Sequence, residues 1–510
     1  MFLCRVLKAL LKYRFILGFI SILVLFVLTY GKYANSLPLG VHNWAQSDRY
    51  SVAVRYIDNT NFFKAQTHNL STIDGRCGVE FPILQYVSAQ VSRIINPEYL
   101  PFIYRGLNLC LLTIGFWFFM RKWKLNTTFK FLAGLILFFS PLLFFYAFNF
   151  LPDIAGLAFL LIGFAHFIDF TETSRLKSAI YAILFAGIAT LIKTTCGIYF
   201  LGMTGAIGLH FLKPFQLKKG LWFITVFLLV AATIWSYDYY FFHKVNEDFY
   251  SRIFMSKQQP LNTFSDVRGF WKGLGYWHGQ YLTWSQTIMV LGLIVFAVIR
   301  RKSIHFNRTG RNFLIISATG LLMFFKLMGA QFVNHDYYFI PAVLPLIFIL
   351  FWFLLTPSFD LPIFKNKWTL PIVGLIALST ITLSVRDYDR RMSSHFIWKH
   401  RDIITDIEWL KNANAIISDM GIPKSATIFV GYDAAPNTSL VYFNRLGKAF
   451  NHEEMSRDSS NMKYWSERIQ PDYYIFPSVW ADKLPSDQPW LYNQLVLFAK
   501  RPNFIIYKRM

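Results

Sequence analysis

Charge is what this sequence has least of. Only 15% of its 510 residues are Asp, Glu, Lys or Arg, against about a quarter in a typical soluble domain. The apolar residues, 55% of the chain with 54 Phe among them, come in long runs. That excludes an ordinary soluble globular protein and points to a polytopic membrane protein. Cysteine is also scarce. Cys4, Cys77, Cys110 and Cys196 are scattered and form no CxxC pair, which excludes a disulfide framework and a cysteine zinc site. No small-residue cleavage pattern follows the first apolar run, Phe15 to Tyr30, although Arg5, Lys8, Lys12 and Arg14 precede it. The segment reads as a retained first span, not a signal peptide. No internal repeat of about 20–50 residues is evident.

What is there is a series of apolar runs, each expected to be a helix because a backbone in lipid must satisfy its own hydrogen bonds. Eleven are read, at about 15–31, 102–120, 130–148, 153–170, 179–195, 196–212, 221–241, 284–300, 312–330, 338–356 and 369–385. The loops between them alternate in charge. One side, with the N-terminus, holds 20 Lys and Arg against three acids, leaving 31 basic and 25 acidic residues for everything else. Most of the net charge of +23 is therefore the positive-inside signal, and no nucleic-acid partner is needed to explain it. The N-terminus is expected to be cytoplasmic, in an inner or plasma membrane. Outer loops 32–101 and 242–283 and the tail 386–510 then face the extracytoplasmic side.

The tail, with 17 basic and 14 acidic residues, reads as a soluble domain. Strands are expected at 426–431, 472–478 and 503–509, and helices after Gly431 and near 486–498. The fold class is thus mostly α: a membrane helical bundle over 1–385 with a small extracytoplasmic α/β domain over 386–510. Within the first outer loop, Ile83, Leu84, Val87, Val91, Ile94 and Ile95 stand at near-helical spacing, which predicts a helix lying at the interface with Glu80 at its start.

Ionisable groups near membrane depth are costly and mark candidate sites. On the outer face these are Asp48 in HNWAQSDRYS, Glu80 in GVEFPILQY, Asp153 in FNFLPDIAG, Lys193 at the end of the fifth run, Lys326 near the end of the ninth, and His335 beside Asp336 in NHDYY. Each has a plainer reading. Asp153 after Pro152 suits a helix start, Asp48 could pair with Arg49, Lys193 could snorkel, and His335 could be a turn residue. What exceeds these is that charges from distant parts of the chain share one face and one depth. A carboxylate there can take a proton, a second can order the loop or help hold a metal, and lysines can neutralise a phosphate leaving group.

The arrangement resembles the GT-C superfamily of integral-membrane glycosyltransferases, closest to the branch of protein O-mannosyltransferases and lipid A aminoarabinose transferases. The likeness spans roughly 1–385 and rests on HNWAQSDRYSVAVRY, GVEFPILQY, FLPDIAGLAF, ATLIKTTCGIYF and HDYYFIPAVLP in that order. It implies a GT-C fold, with Asp48 as the catalytic carboxylate of the first outer loop, Asp153 as the second acid and Glu80 beside them. Lys193, His335 and Lys326 are then candidates for the donor phosphate. It also implies a polyprenyl-phosphate-linked sugar as donor and a lipid, glycan or protein acceptor, with membrane lipids as surroundings. Many relatives follow the first Asp with Glu, where this chain has Arg49, so one usual metal-ligand position is basic. The metal is thus left unassigned, a divalent cation being neither required nor excluded. The aminoarabinose branch often has Lys-Pro-Pro where this chain has Glu80-Phe81-Pro82, so its acceptor is not carried over. The rival is a transporter, flippase or polymerase of lipid-linked saccharides. Transporters bury charge at mid-membrane on broken helices, often in inverted repeats; here the charges gather at one interface.

Overall fold

Helices stand where the apolar runs are. The structure, a computed structural model, describes residues 21–212, 216–248, 253–254, 258–276, 279–299, 307–332, 335–358, 368–393, 407–433, 435–457 and 459–510. Two helices occupy the first outer loop, α1 (Asn43–Asp58) and α2 (Ile83–Ile95). There follow α3 (Leu100–Met120), α4 (Thr127–Phe138), α5 (Pro141–Ala147), α6 (Asp153–Thr173), α7 (Leu176–Ile192), α8 (Gly197–Phe211) and α9 (Leu217–Tyr237). The remainder of the bundle is α10 (Phe264–Tyr276), α11 (Trp284–Ile299), α12 (Arg308–Phe332), α13 (Leu344–Ser358) and α14 (Thr369–Met392).

Among the described residues five helices are long and apolar enough to cross a membrane, or up to seven if two bent pairs each count as one. This is fewer than the eleven expected. The expected span 130–148 is broken by 80° between α4 and α5. Ser140 accepts from the Leu143 N–H and Pro141 takes the first helical position, so the ladder restarts. The span expected at 338–356 bends by 43° before α13, where Pro345 lacks the N–H that would continue it. At 17, 15 and 16 residues, α7, α8 and α11 are shorter than the roughly 20 residues that cross a hydrocarbon core. The start of the expected span 15–31 lies outside the described residues.

The bundle is built around α6. It is apolar on all sides, and 78% of its most apolar stretch is buried, against 11% for the corresponding stretch of 217–248. A helix of that kind belongs in the interior, whereas α9 turns its apolar surface outward. Small residues allow close crossing: a Cβ on Gly115 of α3 would lie 2.6 Å from the Ala158 carbonyl oxygen on α6. The expected helix over 83–95 is present as α2. Its buried face is Leu84, Gln85, Ser88, Ala89 and Ser92, while Ile94 and Ile95 are exposed. A helix that hides small polar residues and shows isoleucine suits a lipid-facing position.

Buried charge joins distant segments. Arg391, near the end of α14, pairs with Asp336 at 2.7 Å, both fully buried. Asp336 also accepts from the Tyr146 hydroxyl at 2.7 Å and stands 3.2 Å from His42 Nε2. Arg105 of α3 donates to the carbonyls of Tyr33, Ala34 and Ser36, where a cation offsets a helix C-terminus.

The tail forms a five-stranded sheet, β1 (Thr427–Val430), β2 (Leu446–Ala449), β3 (Tyr473–Pro477), β4 (Leu495–Lys500) and β5 (Phe504–Arg509), in the order β2-β1-β3-β5-β4. The first three strands are parallel; β5 runs antiparallel to both β3 and β4. The expected strands at 426–431, 472–478 and 503–509 are thus present as β1, β3 and β5, and α15 (Thr438–Phe443) follows Gly431 as expected. The expected helix near 486–498 is present only in its first part, as two short turns. Short helices Leu484–Asp487 and Pro489–Tyr492 precede β4, because pairing with β5 overrides the local helical pattern of QLVLFAK. The last bundle helix, α14, runs on to Met392, past the expected boundary at 386.

The sheet does not stop at β2. His68 O accepts from the Gly447 N–H at 3.0 Å, and Gly447 O accepts from the Leu70 N–H at 2.6 Å, so the outer loop adds a short rung to the sheet edge. Gly447 lies so close to Ile428 that any Cβ would overlap its backbone. Gly447→Ala is expected to cost about 1–3 kcal/mol by overpacking, seen as a lower melting temperature of the purified protein in detergent. Unchanged melting would show that this contact is dispensable.

Candidate active site

The site is assembled on α1, a helix whose buried residues include Asn43, Gln46, Ser47, Asp48 and Ser51. Burying so many polar groups is costly unless each is answered, and two neighbouring groups on this helix are answered in different directions.

Arg49 points to the bundle. Its guanidinium donates to Glu80 Oε2 at 2.7 Å. Glu80 in turn lies 3.4 Å from Lys193 Nζ, and the same ammonium is 3.7 Å from Asp153 Oδ1. Two cations and two anions, from the first outer loop, the start of α6 and the end of α7, thus form one nearly buried chain of charge. Asp153 is the first residue of α6, after Pro152, where the helix dipole favours an anion. Lys193 ends α7 in an extended conformation, and its Cβ would meet a side chain placed at Gly156 of α6. The Phe81 N–H donates to Leu191 O at 3.1 Å, fixing Glu80 above the helix end. Burial pushes the Glu80 carboxyl up, but Lys193 and Arg49 outweigh it and hold it below the usual range.

Asp48 points the other way, to the tail. It is 5% exposed, and Asn437 Nδ2 donates to its Oδ1 at 2.8 Å. Burial raises its carboxyl to about 7, opposed by the Asn437 hydrogen bond and by Arg49. A carboxylate in that range is suited to general-base chemistry near neutral pH. No described residue bonds its Oδ2.

Of the expected site residues, Asp153, Glu80 and Lys193 are brought into direct contact, and Asp48 adjoins them through Arg49. His335 sits one aromatic layer away: its ring is 5.7 Å from that of Tyr338, over which Lys193 Nζ stands at 5.4 Å. Lys326 is not brought to the cluster. It is exposed, and its ammonium is held by Leu261 O and Asn262. Asp336, noted only as a turn residue, is instead the buried partner of Arg391. Arg49 and Asn437 are not among the site residues that the sequence singles out. Arg49 carried a signal, a base where relatives have an acid; Asn437, in a polar loop, carried none. Among the described residues no group of three His, Cys, Asp or Glu could hold a metal ion.

No protein-family model matches the chain, and no curated protein does. Solved structures do. ArnT from Cupriavidus metallidurans aligns in the apo state with a TM-score of 0.59 and 11% identity, over 96% of this chain and 97% of that one. The same protein bound to undecaprenyl phosphate aligns at 0.57 and 11% identity, over 97% and 98%. The Archaeoglobus fulgidus oligosaccharyltransferase in complex with Zn and sulfate aligns at 0.51 and 12% identity, over 92% of this chain and 70% of that one. The chain shares the fold of these proteins.

Because the four charges answer one another out of water, removing one strands the rest. Lys193→Met is expected to destabilise the protein by about 3–5 kcal/mol, while adding Glu80→Gln to it costs less than the sum of the two. Thermal unfolding of the two single variants and the double variant checks this; strict additivity would mean that the groups do not form one network.

Proposed function

We propose that this protein is a glycosyltransferase that moves a sugar from a polyprenyl-phosphate carrier to a lipid, glycan or protein acceptor on the extracytoplasmic face. The proposal keeps eleven crossings, counting the short helices α7, α8 and α11 and the two bent pairs as crossings at which the bilayer thins, with the N-terminus inside and the 386–510 domain outside. The observation that carries it is Asp48. A buried carboxylate with one oxygen engaged and the other unbonded among the described residues adjoins a compensated pair of cations, at the outer ends of the bundle helices. A shared fold with ArnT, solved with undecaprenyl phosphate bound, supports a lipid-phosphate donor.

In this reading Asp48 takes the proton from the acceptor hydroxyl or amine as that group attacks the anomeric carbon. The new glycosidic bond forms as the bond to the phosphate oxygen breaks, and the polyprenyl phosphate leaves with the electron pair. Attack opposite the leaving group inverts the configuration. Lys193 and Arg49 meet the phosphate's charge and ease its departure. Asp153 and Glu80 hold these cations in place, and Glu80, kept ionised by both, acts as their counter-ion. His335 supports the phosphate site from the aromatic layer. Lys326 is assigned no step. The rival transporter reading is weaker because the paired charges gather at helix ends and not on unwound mid-membrane segments.

The test is incubation of purified protein with a panel of polyprenyl-phosphate sugars, following release of polyprenyl phosphate. Asp48→Asn keeps shape and loses basicity, so transfer is expected to fall about 100-fold or more with little change in folding. Wild-type rates in that variant would overturn the mechanism. The wild-type rate should climb with pH through about 7, because the protonated acid below that range accepts no proton. Lys193→Met, measured on its folded fraction, should raise the apparent donor requirement and lower turnover with acceptor affinity little changed, and His335→Ala should do so more mildly. A defect in acceptor binding alone would assign the lysine to the other substrate.

A further inference from the structure

Asp48 belongs to the first outer loop, yet the group that orients it comes from the tail domain, 389 positions later. The orientation of that amide follows from its other partner. Asn437 Oδ1 lies 3.1 Å from the Asn69 backbone N–H, which can only donate, so the oxygen must face Asn69. The Ser51 hydroxyl, one turn on from Asp48, donates to the same oxygen at 3.3 Å. The amide nitrogen is thereby turned to Asp48, and since it too can only donate, Asp48 Oδ1 is an obligate acceptor.

The loop that delivers Asn437 is built for the purpose. Tyr432 holds a left-handed φ of 60°, which costs a β-carbon residue strain and persists only where its surroundings enforce it. The next residue, Asp433, supplies that enforcement. Its Oδ2 accepts from the Ser439 N–H at 2.9 Å and from the Ser439 hydroxyl at 2.5 Å. Its backbone N–H donates to Phe450 O at 2.9 Å. Pro436 O accepts from Asn69 Nδ2 at 2.7 Å, closing the loop onto the outer loop.

We propose that Asn437 is a positioning residue for transfer: by occupying Oδ1 it fixes the rotation of the Asp48 carboxylate and leaves Oδ2 as the oxygen that meets the acceptor's proton. The soluble domain is then part of the active site and not an appended module. This rests on Asp48 as the proton acceptor. The charged and titratable groups that act on Asp48 are Arg49 on its own helix, Asp433 from the tail and the Cys77 thiol of the outer loop.

The test uses the full-length protein and reads kcat, both KM values and the pH profile of kcat. Asn437→Ala should lower kcat about 10-fold with both KM values nearly unchanged, and move the acidic limb to higher pH, because an anion that loses a donor binds its proton more tightly. Asn437→Asp keeps an oxygen for Asn69 and Ser51, so the loop holds, but sets a second carboxylate against Asp48. Its acidic limb should rise further, by about one unit or more. A merely structural role would reduce the amount of active protein and leave the limb in place. Loss of activity in Asp48→Asn together with an unmoved limb in the folded Asn437→Asp variant would overturn this inference alone. Wild-type activity in Asp48→Asn would overturn the reading beneath it.

Discussion

A single ammonium, that of Lys193, stands between two carboxylates that have no other reason to approach. Glu80 comes from the 32–101 loop and Asp153 from the start of the central helix, and like charges brought together repel strongly where water is scarce. The lysine makes their approach favourable, and Arg49 takes the remaining charge of Glu80. The outer loop is thereby bound down onto the bundle by electrostatics, while its packing helix α2 turns isoleucines away. These charges add to the apolar contact that Tyr50, Ala53 and Leu84 of the loop make with Tyr104, Phe150 and Ile192, so breaking the balance strands charge inside a packed seam. The same balance keeps Asp48 distinct, since Arg49, adjacent to it, is already engaged.

Much of this architecture can be read from the sequence because lipid enforces it. Long apolar runs have few alternatives to helix, and each described run holds helix, while α1, α2 and α10 stand in the loops between them. Helix breaks were harder to read. Pro141 sits inside an apolar run that looks continuous, and its missing N–H together with the Ser140 cap divides the run into two helices. In the tail, β1, β3 and β5 were legible as apolar runs of strand length. β2 was not, because Leu446–Ala449 contains a lysine and a glycine and is a strand only through its parallel partner β1. β4 reads as helix for the same reason, its strand character residing in β5.

The site divides in the same way. Asp48, Glu80, Asp153 and Lys193 were legible because a charge beside lipid demands a reason. His335 and Lys326 met the same criterion, yet the second only pins the 258–262 segment to α12. Depth along a helix does not reveal which way a side chain turns. Arg391 and Arg105 are charges in apolar helices too, and both serve the fold by tying carbonyls or an acid from distant turns. Asn437 lay beyond any reading of pattern: an asparagine in a polar loop is ordinary until the chain is folded.

The rung that Gly447 adds to the outer loop bears on how such a molecule comes into being. The first outer loop emerges from the ribosome early, but the strand edge that completes it and the amide that orients Asp48 are made almost 400 residues later. Until the last domain has been made and folded, the loop's backbone groups at 68–70 lack these partners and Asp48 lacks its donor. Non-local pairing of this kind is the slow part of folding. The loop therefore has to wait unfinished, and the surroundings of Asp48 become something that the chain completes last.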